Sequence, residues 1–164
     1  MYYLQWEDRQ YKHRLEHNID TNICDANGKT AFHLACSLRS SMIHDIKLLL
    51  ENDKTDVNIP DENNNTPFSV ACASNTCDVI KLLLSNDRIN VNKPNNEGRT
   101  PLHCCCAFRN VHNRDVAFVL KMLLEDDRIK DDMNKKDNDG KTPFELLCGI
   151  RYDAIKFLID GKFI

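Results

Sequence analysis

A twelve-residue pattern recurs four times along these 164 residues, and an internal repeat narrows the possible architectures more than any motif does. The first copy is Asp25-Ala26-Asn27-Gly28-Lys29-Thr30-Ala31-Phe32-His33-Leu34-Ala35-Cys36, and residues 61–72, 95–106 and 137–148 match it. Its Thr residues, Thr30, Thr66, Thr100 and Thr142, lie 36, 34 and 42 residues apart. Each copy is followed by a second shared block: Asp45-Ile46-Lys47-Leu48-Leu49-Leu50, then residues 79–84, 119–124 and 154–159. One supersecondary unit is therefore repeated, and units this small bury their apolar faces only by stacking.

The residues of each unit read as two helices and a turn. Thr offers its hydroxyl to an orphan backbone N–H, and the Pro that follows it in three copies gives up a donor that lacks a partner at the first helical position. Ala or Cys after the first apolar residues lets a neighbouring helix approach. The Ile-Lys-Leu-Leu-Leu block puts Lys outward and Leu inward at helical spacing. Between units come Asp56-Val57-Asn58, Asn90-Val91-Asn92 and Asp132-Met133-Asn134, then a turn in which Gly or Asn can take positive φ. An extended hairpin is expected to connect the units.

These blocks resemble the ankyrin repeat, whose signature is a Thr-Pro-Leu-His helix start, a Val-Lys-Leu-Leu-Leu helix and a hairpin ending Asp-Val-Asn. The resemblance covers residues 25–164 and implies an all-α solenoid, a stack of antiparallel helix pairs joined by hairpin loops. Repeats are expected at 25–60, 61–94, 95–136 and 137–164, with 1–24 as a degenerate repeat. Through Leu4, Trp6, Tyr11 and Leu15, that leading segment would cap the first full repeat. The chain departs from the pattern in several places. The usual Gly-His turn between helices is missing, and His33 and His103 are replaced by Ser69 and Glu145, so those two units are expected to be less regular. Thr30 to Lys47 is 17 residues and Thr100 to Lys121 is 21, against 15 in the second unit. The third unit thus carries about six extra residues around 109–115, which should lengthen a helix or project a loop.

Composition and chemistry set the function classes. Twenty-two Lys and Arg against 25 Asp and Glu give a net charge of −3, which disfavours nucleic acid and acidic lipid as partners. No run approaches the about 18 apolar residues of a membrane span. Acidic and basic residues at positions 7–9 argue against a secretory signal, so a cytoplasmic location is expected, with the nucleus open. Eight Cys in such a compartment read as reduced thiols. Cys36, Cys72, Cys106 and Cys148 share one helix position and read as core. Consecutive helical residues point about 100° apart, so Cys104, Cys105 and Cys106 do not converge on one metal ion. No phosphate loop or nucleophile elbow is present, and neither catalysis, a cofactor nor a metal is expected. The resemblance makes the repeated His structural. It places Asn58, Asn92 and Asn134 where hydroxylases act in this family, but ties between hairpins are the favoured reading.

Function in a solenoid follows from the continuous surface that its stack exposes. The resemblance implies a monomeric, non-catalytic module that binds another protein on a concave surface of turn tips and first helices. Mapped onto this sequence, that surface takes Lys29 and Leu38 from the first unit, Glu62, Asn63 and Asn65 from the second, Asn96, Glu97, Arg99 and Phe108 from the third, and Asp139 and Lys141 from the fourth. Lys29, Arg99 and Lys141 form a basic row beside Glu62, Glu97 and Asp139. Phe108 and Leu38 are the apolar anchors. The alternatives are a thiol-based redox or metal sensor using Cys24 or Cys77 on the same fold, or a fragment of a larger multidomain protein.

Overall fold

The computed structural model describes residues 20–38, 42–74, 76–107 and 113–148. They form an all-α solenoid. Its helices are α1 (Ala31–Ser37), α2 (Ile43–Glu51), α3 (Pro67–Ser74), α4 (Cys77–Leu84), α5 (Pro101–Ala107), α6 (Asn113–Glu125) and α7 (Pro143–Cys148), with a short 3-10 helix at Lys130–Asn134. Four first helices, α1, α3, α5 and α7, start at the same place in the pattern, each one residue after its Thr. The leading segment 1–24 is outside the described residues up to position 19, as is the second helix expected at 154–159.

The first helices pack densely on one another in sequence order, whereas the second helices touch more loosely. Small side chains explain the difference. Ala35, Cys36, Ala71, Cys72, Cys105 and Cys106 are all buried between first helices and let their backbones come close. Bulkier Ile46, Leu49, Ile80, Leu83, Leu120 and Leu123 fill the space under the second helices. A stack that is tight along one row and wider along the other curves toward the tight row.

His33 has both ring nitrogens engaged, and the partners fix its tautomer. A backbone N–H only donates, so Nδ1, 3.1 Å from Thr30 N, is bare, and a carbonyl only accepts, so Nε2, 3.1 Å from Asn65 O, carries the hydrogen. His103 repeats this with Thr100 N at 3.2 Å and Lys141 O at 3.1 Å. Each imidazole caps its own helix and holds the following unit. Ser69 keeps only the local part, donating to Thr66 O at 2.8 Å and, among the described residues, reaching no carbonyl of the next unit. Glu145 completes a carboxylate capping box instead, taking the Thr142 N–H at 2.7 Å. The expected irregularity is not found in the first helices of these two units, because α3 and α7 are capped by other chemistry.

The connections between units correct the sequence reading in two ways. Among the described residues there is no strand. The connecting arms are instead tied edge to edge by Asn side chains: Asn22 bonds Lys54 O and Asp56 N, and Asn58 bonds Arg88 O and Asn90 N. Asn92 bonds Arg128 O at 2.6 Å, but its own oxygen is buried without a partner among the described residues. The cause is the second correction. Asp132-Met133-Asn134 is not an arm equivalent to Asp56-Val57-Asn58. Seven residues separate Ile129 from Asp137, against five between Ile89 and Asn95, and the surplus coils into the 3-10 helix, so no arm N–H meets Asn92.

Arginines close the other ends of the second helices. Arg88 donates to Leu50 O at 3.0 Å, to Asn52 O and to Thr55 O, which satisfies carbonyls at the C-terminus of α2. Arg128 does the same for α4 through Leu84 O at 2.7 Å while paired with Asp126. In the third unit α6 has 13 residues, against 8 in α4, so part of the insertion lengthens the helix. Residues 108–112 lie outside the described residues.

Candidate protein-binding surface

Every turn is organised by its first residue. Asp25 Oδ1 accepts from Asn27 N and Lys29 N at 2.8 Å, Asp61 Oδ1 from Asn63 N and Asn65 N, Asn95 Oδ1 from Glu97 N and Arg99 N, and Asp137 Oδ1 from Asp139 N and Lys141 N. Backbone amides donated by Lys29 and Asn27 hold the Asp25 carboxyl below the usual carboxylate range. For Asp137 burial acts the other way, but the amides of Lys141 and Asp139 and the Arg99 guanidinium outweigh it, and its pKa is lowered. The fourth residue has φ of 74°, 61°, 72° and 74° at Gly28, Asn64, Gly98 and Gly140, the region that favours Gly and tolerates Asn. The turn-forming role of the four Asp/Asn residues shows in the sequence only as their recurrence at one position.

The turns are stitched into a row. Asn27 O accepts from Glu62 N, Asn63 O from Asn96 N and Glu97 O from Asn138 N, at 2.9 to 3.2 Å. Amide side chains reinforce it: Asn96 donates to Glu62 O at 3.1 Å and Asn138 to Asn96 O at 2.9 Å. Of the residues expected to bind a partner, Asn65 and Asn96 thus use their side chains within the stack, since Asn65 Oδ1 also accepts from Asn95 Nδ2 at 3.0 Å. Glu62, Asn63, Glu97, Asp139 and Lys141 are exposed on the row and Lys29 is half-buried.

Arg99 is placed between carboxylates. Its Nε is 3.2 Å from Asp137 Oδ2, which is buried, and its terminal nitrogens lie 2.5 Å from Glu97 and 3.7 Å from Asp139. The basic and acidic rows are therefore one interlocked row at this point, and Arg99 latches the third unit to the fourth.

The outward face of the first helices is apolar and carries no Lys or Arg. Leu34 and Leu38, one turn apart at the end of α1, are 48% and 51% exposed. Val70 and Cys104 occupy the position of Leu34 in α3 and α5 and are half-buried, as is Leu146 in α7. Sequence reading found Leu38 but missed Leu34, whose helical position marks it as outward between the buried His33 and Ala35. Phe108 lies outside the described residues.

Thiol chemistry is damped throughout the core. Burial pushes Cys36 up to about 12 and Cys104 up to about 11, and raises Cys72 and Cys105 as well. Cys24 is exposed and Cys77 half-buried. Among the described residues no three His, Cys, Asp or Glu side chains are grouped to hold a metal ion.

Comparison with known families agrees with this architecture. The family model described as ankyrin repeats in three copies matches residues 10–95, and the single ankyrin repeat model matches residues 97–138. No curated protein matches the sequence. With capped helix pairs, stitched turns and family matches over most of its length, the chain belongs to the ankyrin repeat family.

Proposed function

We propose that this chain is a non-catalytic protein-interaction module whose partner docks on the surface formed by the turn row and the outward face of the first helices. Ankyrin repeats are in general protein-interaction modules. The observation that carries the reading here is the pair Leu34 and Leu38, two large apolar side chains half open to solvent on the helix row toward which the stack curves. Their helix adjoins the turn row directly, since only Thr30 separates Lys29 from α1. No helix among the described residues is long and apolar enough to cross a membrane.

The competing surface is the outer one, where Phe118 on α6 is 53% exposed. Proximity labelling in cells with three forms of the chain separates them: wild type, Leu34→Ser with Leu38→Ser, and Phe118→Ser. Loss of the same labelled proteins from the Leu variant alone supports docking on the inner face. Loss from the Phe118 variant alone moves the site to the outer helices and ends this reading.

A further inference from the structure

Building on docking at the inner face, we propose that the partner presents a basic segment with apolar side chains, cations toward the turn row and apolar groups along the first helices. The charge pattern selects it. The four turns, residues 25–29, 61–65, 95–99 and 137–141, hold six carboxylates and three cations, a net −3. One of those cations, Arg99, is held by the buried Asp137 and by Glu97 and Asp139. Three carboxylates around one guanidinium leave a local excess of negative charge, and Glu97 and Asp139 still expose 62% and 78% of their side chains. Glu62 is exposed on the turn between them and the first unit. The four first helices add no Lys or Arg, and their single charged residue is Glu145. Such a face repels nucleic acid phosphates and anionic membranes and attracts Lys and Arg.

Beside this rim runs the apolar line of Leu34, Val70, Cys104 and Leu146, one residue from each first helix. Packed helices lie about 8 to 10 Å apart, so four of them span about 30 Å, the length of about 20 helical residues. A segment crossing all four units can meet the rim with cations on one side and the line with apolar side chains on the other.

The test uses three labelled synthetic peptides of about 20 residues: one with Lys and Leu on opposite faces of a helix, one with Glu for every Lys, and one with Ser for every Leu. Their binding is followed by fluorescence anisotropy against the full chain between about 0.05 and about 0.5 M salt. The Lys/Leu peptide should bind about tenfold or more tightly than either control and weaken as salt rises. Glu62→Gln with Asp139→Asn should lower its affinity and flatten the salt dependence, whereas Leu34→Ser with Leu38→Ser should lower affinity and leave the salt dependence in place. Thermal melting of each variant verifies that it is folded. Absence of Lys/Leu binding, or equal binding of the Glu/Leu peptide, overturns the basic assignment. If the Glu/Leu peptide binds and is lost with the Leu variants, inner-face docking stands and only the charge assignment falls. If binding ignores both inner-face variants but disappears with Phe118→Ser, the docking reading falls too.

Discussion

His33 Nε2 lies 3.1 Å from the carbonyl oxygen of Asn65, so a single imidazole spans from the cap of one helix to the turn that precedes the next. His103 and Lys141 O stand in the same relation. Both rings use Nδ1 as an acceptor, and protonation would turn it into a donor facing a Thr N–H.

This arrangement gives the stability a pH dependence of fixed sign. Burial holds both His33 and His103 below the ordinary value of 6.5. Above pH 6.5 the rings are neutral folded and unfolded, and their contribution is fully present. As pH falls from there through the folded values, the unfolded chain takes up protons that the folded chain refuses, and stability is lost. The lowered carboxylates Asp25, Asp137 and Glu145 lose theirs in a lower window, beginning near their ordinary values of 3.8 to 4.5. Melting curves between pH 7 and 5 should therefore slope downward in wild type and flatten in a His33→Gln, His103→Gln double variant. An unchanged slope would remove the imidazoles as its source.

A graded glycine series is expected in the turns. A Cβ on Gly140 meets nothing within 4 Å, so Gly140→Ala carries only the left-handed backbone penalty, about 1 kcal/mol. On Gly28 the same atom would lie 2.9 Å from Glu62 N, in the next turn's backbone, and Gly28→Ala should cost about 2 kcal/mol or more. Asn64→Gly should be nearly neutral, because Gly suits its φ of 61° while the exposed bond to Pro94 O is lost. Urea denaturation midpoints order the three, and equal costs at Gly28 and Gly140 would contradict the close turn-to-turn approach.

Asn58 and Asn92 occupy equivalent arm positions with unequal work. Asn58 satisfies both a carbonyl and an N–H of the next arm, while Asn92 satisfies only a carbonyl. Asn58→Ala should cost about 2 kcal/mol and Asn92→Ala about 1 kcal/mol, at roughly 1 kcal/mol per bond. Equilibrium unfolding of the two variants measures the gap, and a larger loss at Asn92 would mean its buried oxygen is satisfied.

Thiol reactivity should divide the cysteines by position. With an aromatic disulfide reagent at neutral pH, Cys24 should react first, and Cys36, Cys72 and Cys105 only at the rate at which the chain opens. Peptide mapping after brief labelling reports the order. Rapid modification of Cys36 or Cys72 would contradict their burial between first helices.

Much of this architecture was legible in the sequence because its determinants are local and repeated four times. The Thr-Pro starts, the Leu-rich blocks and the turn Gly or Asn each act within a few residues, so the four first helices start where the pattern put them. Most of what was missed lies between units. The two surplus residues after Ile129 were hidden by an apparent match of Asp132-Met133-Asn134 to other arms, and only Asn92's orphaned oxygen betrays the shift. Arg99 read as a free surface cation, because its partner Asp137 is 38 residues away. The cap that Glu145 makes is hidden by its alignment with His33 and His103, although a carboxylate three residues after a Thr closes a capping box.

The turn row is held by first-position Asp or Asn oxygens, by backbone N–H and C=O groups and by the Asn96 and Asn138 amides, while the exposed side chains of Ala26 and Glu62 take no part in it among the described residues. At those two positions the atoms that build the loop are separate from the atoms it shows to solvent. Substitutions there change the charge and shape of the surface without removing a bond of the stack, whereas at Glu97 and Asp139 they would also loosen the Arg99 latch between the third and fourth units.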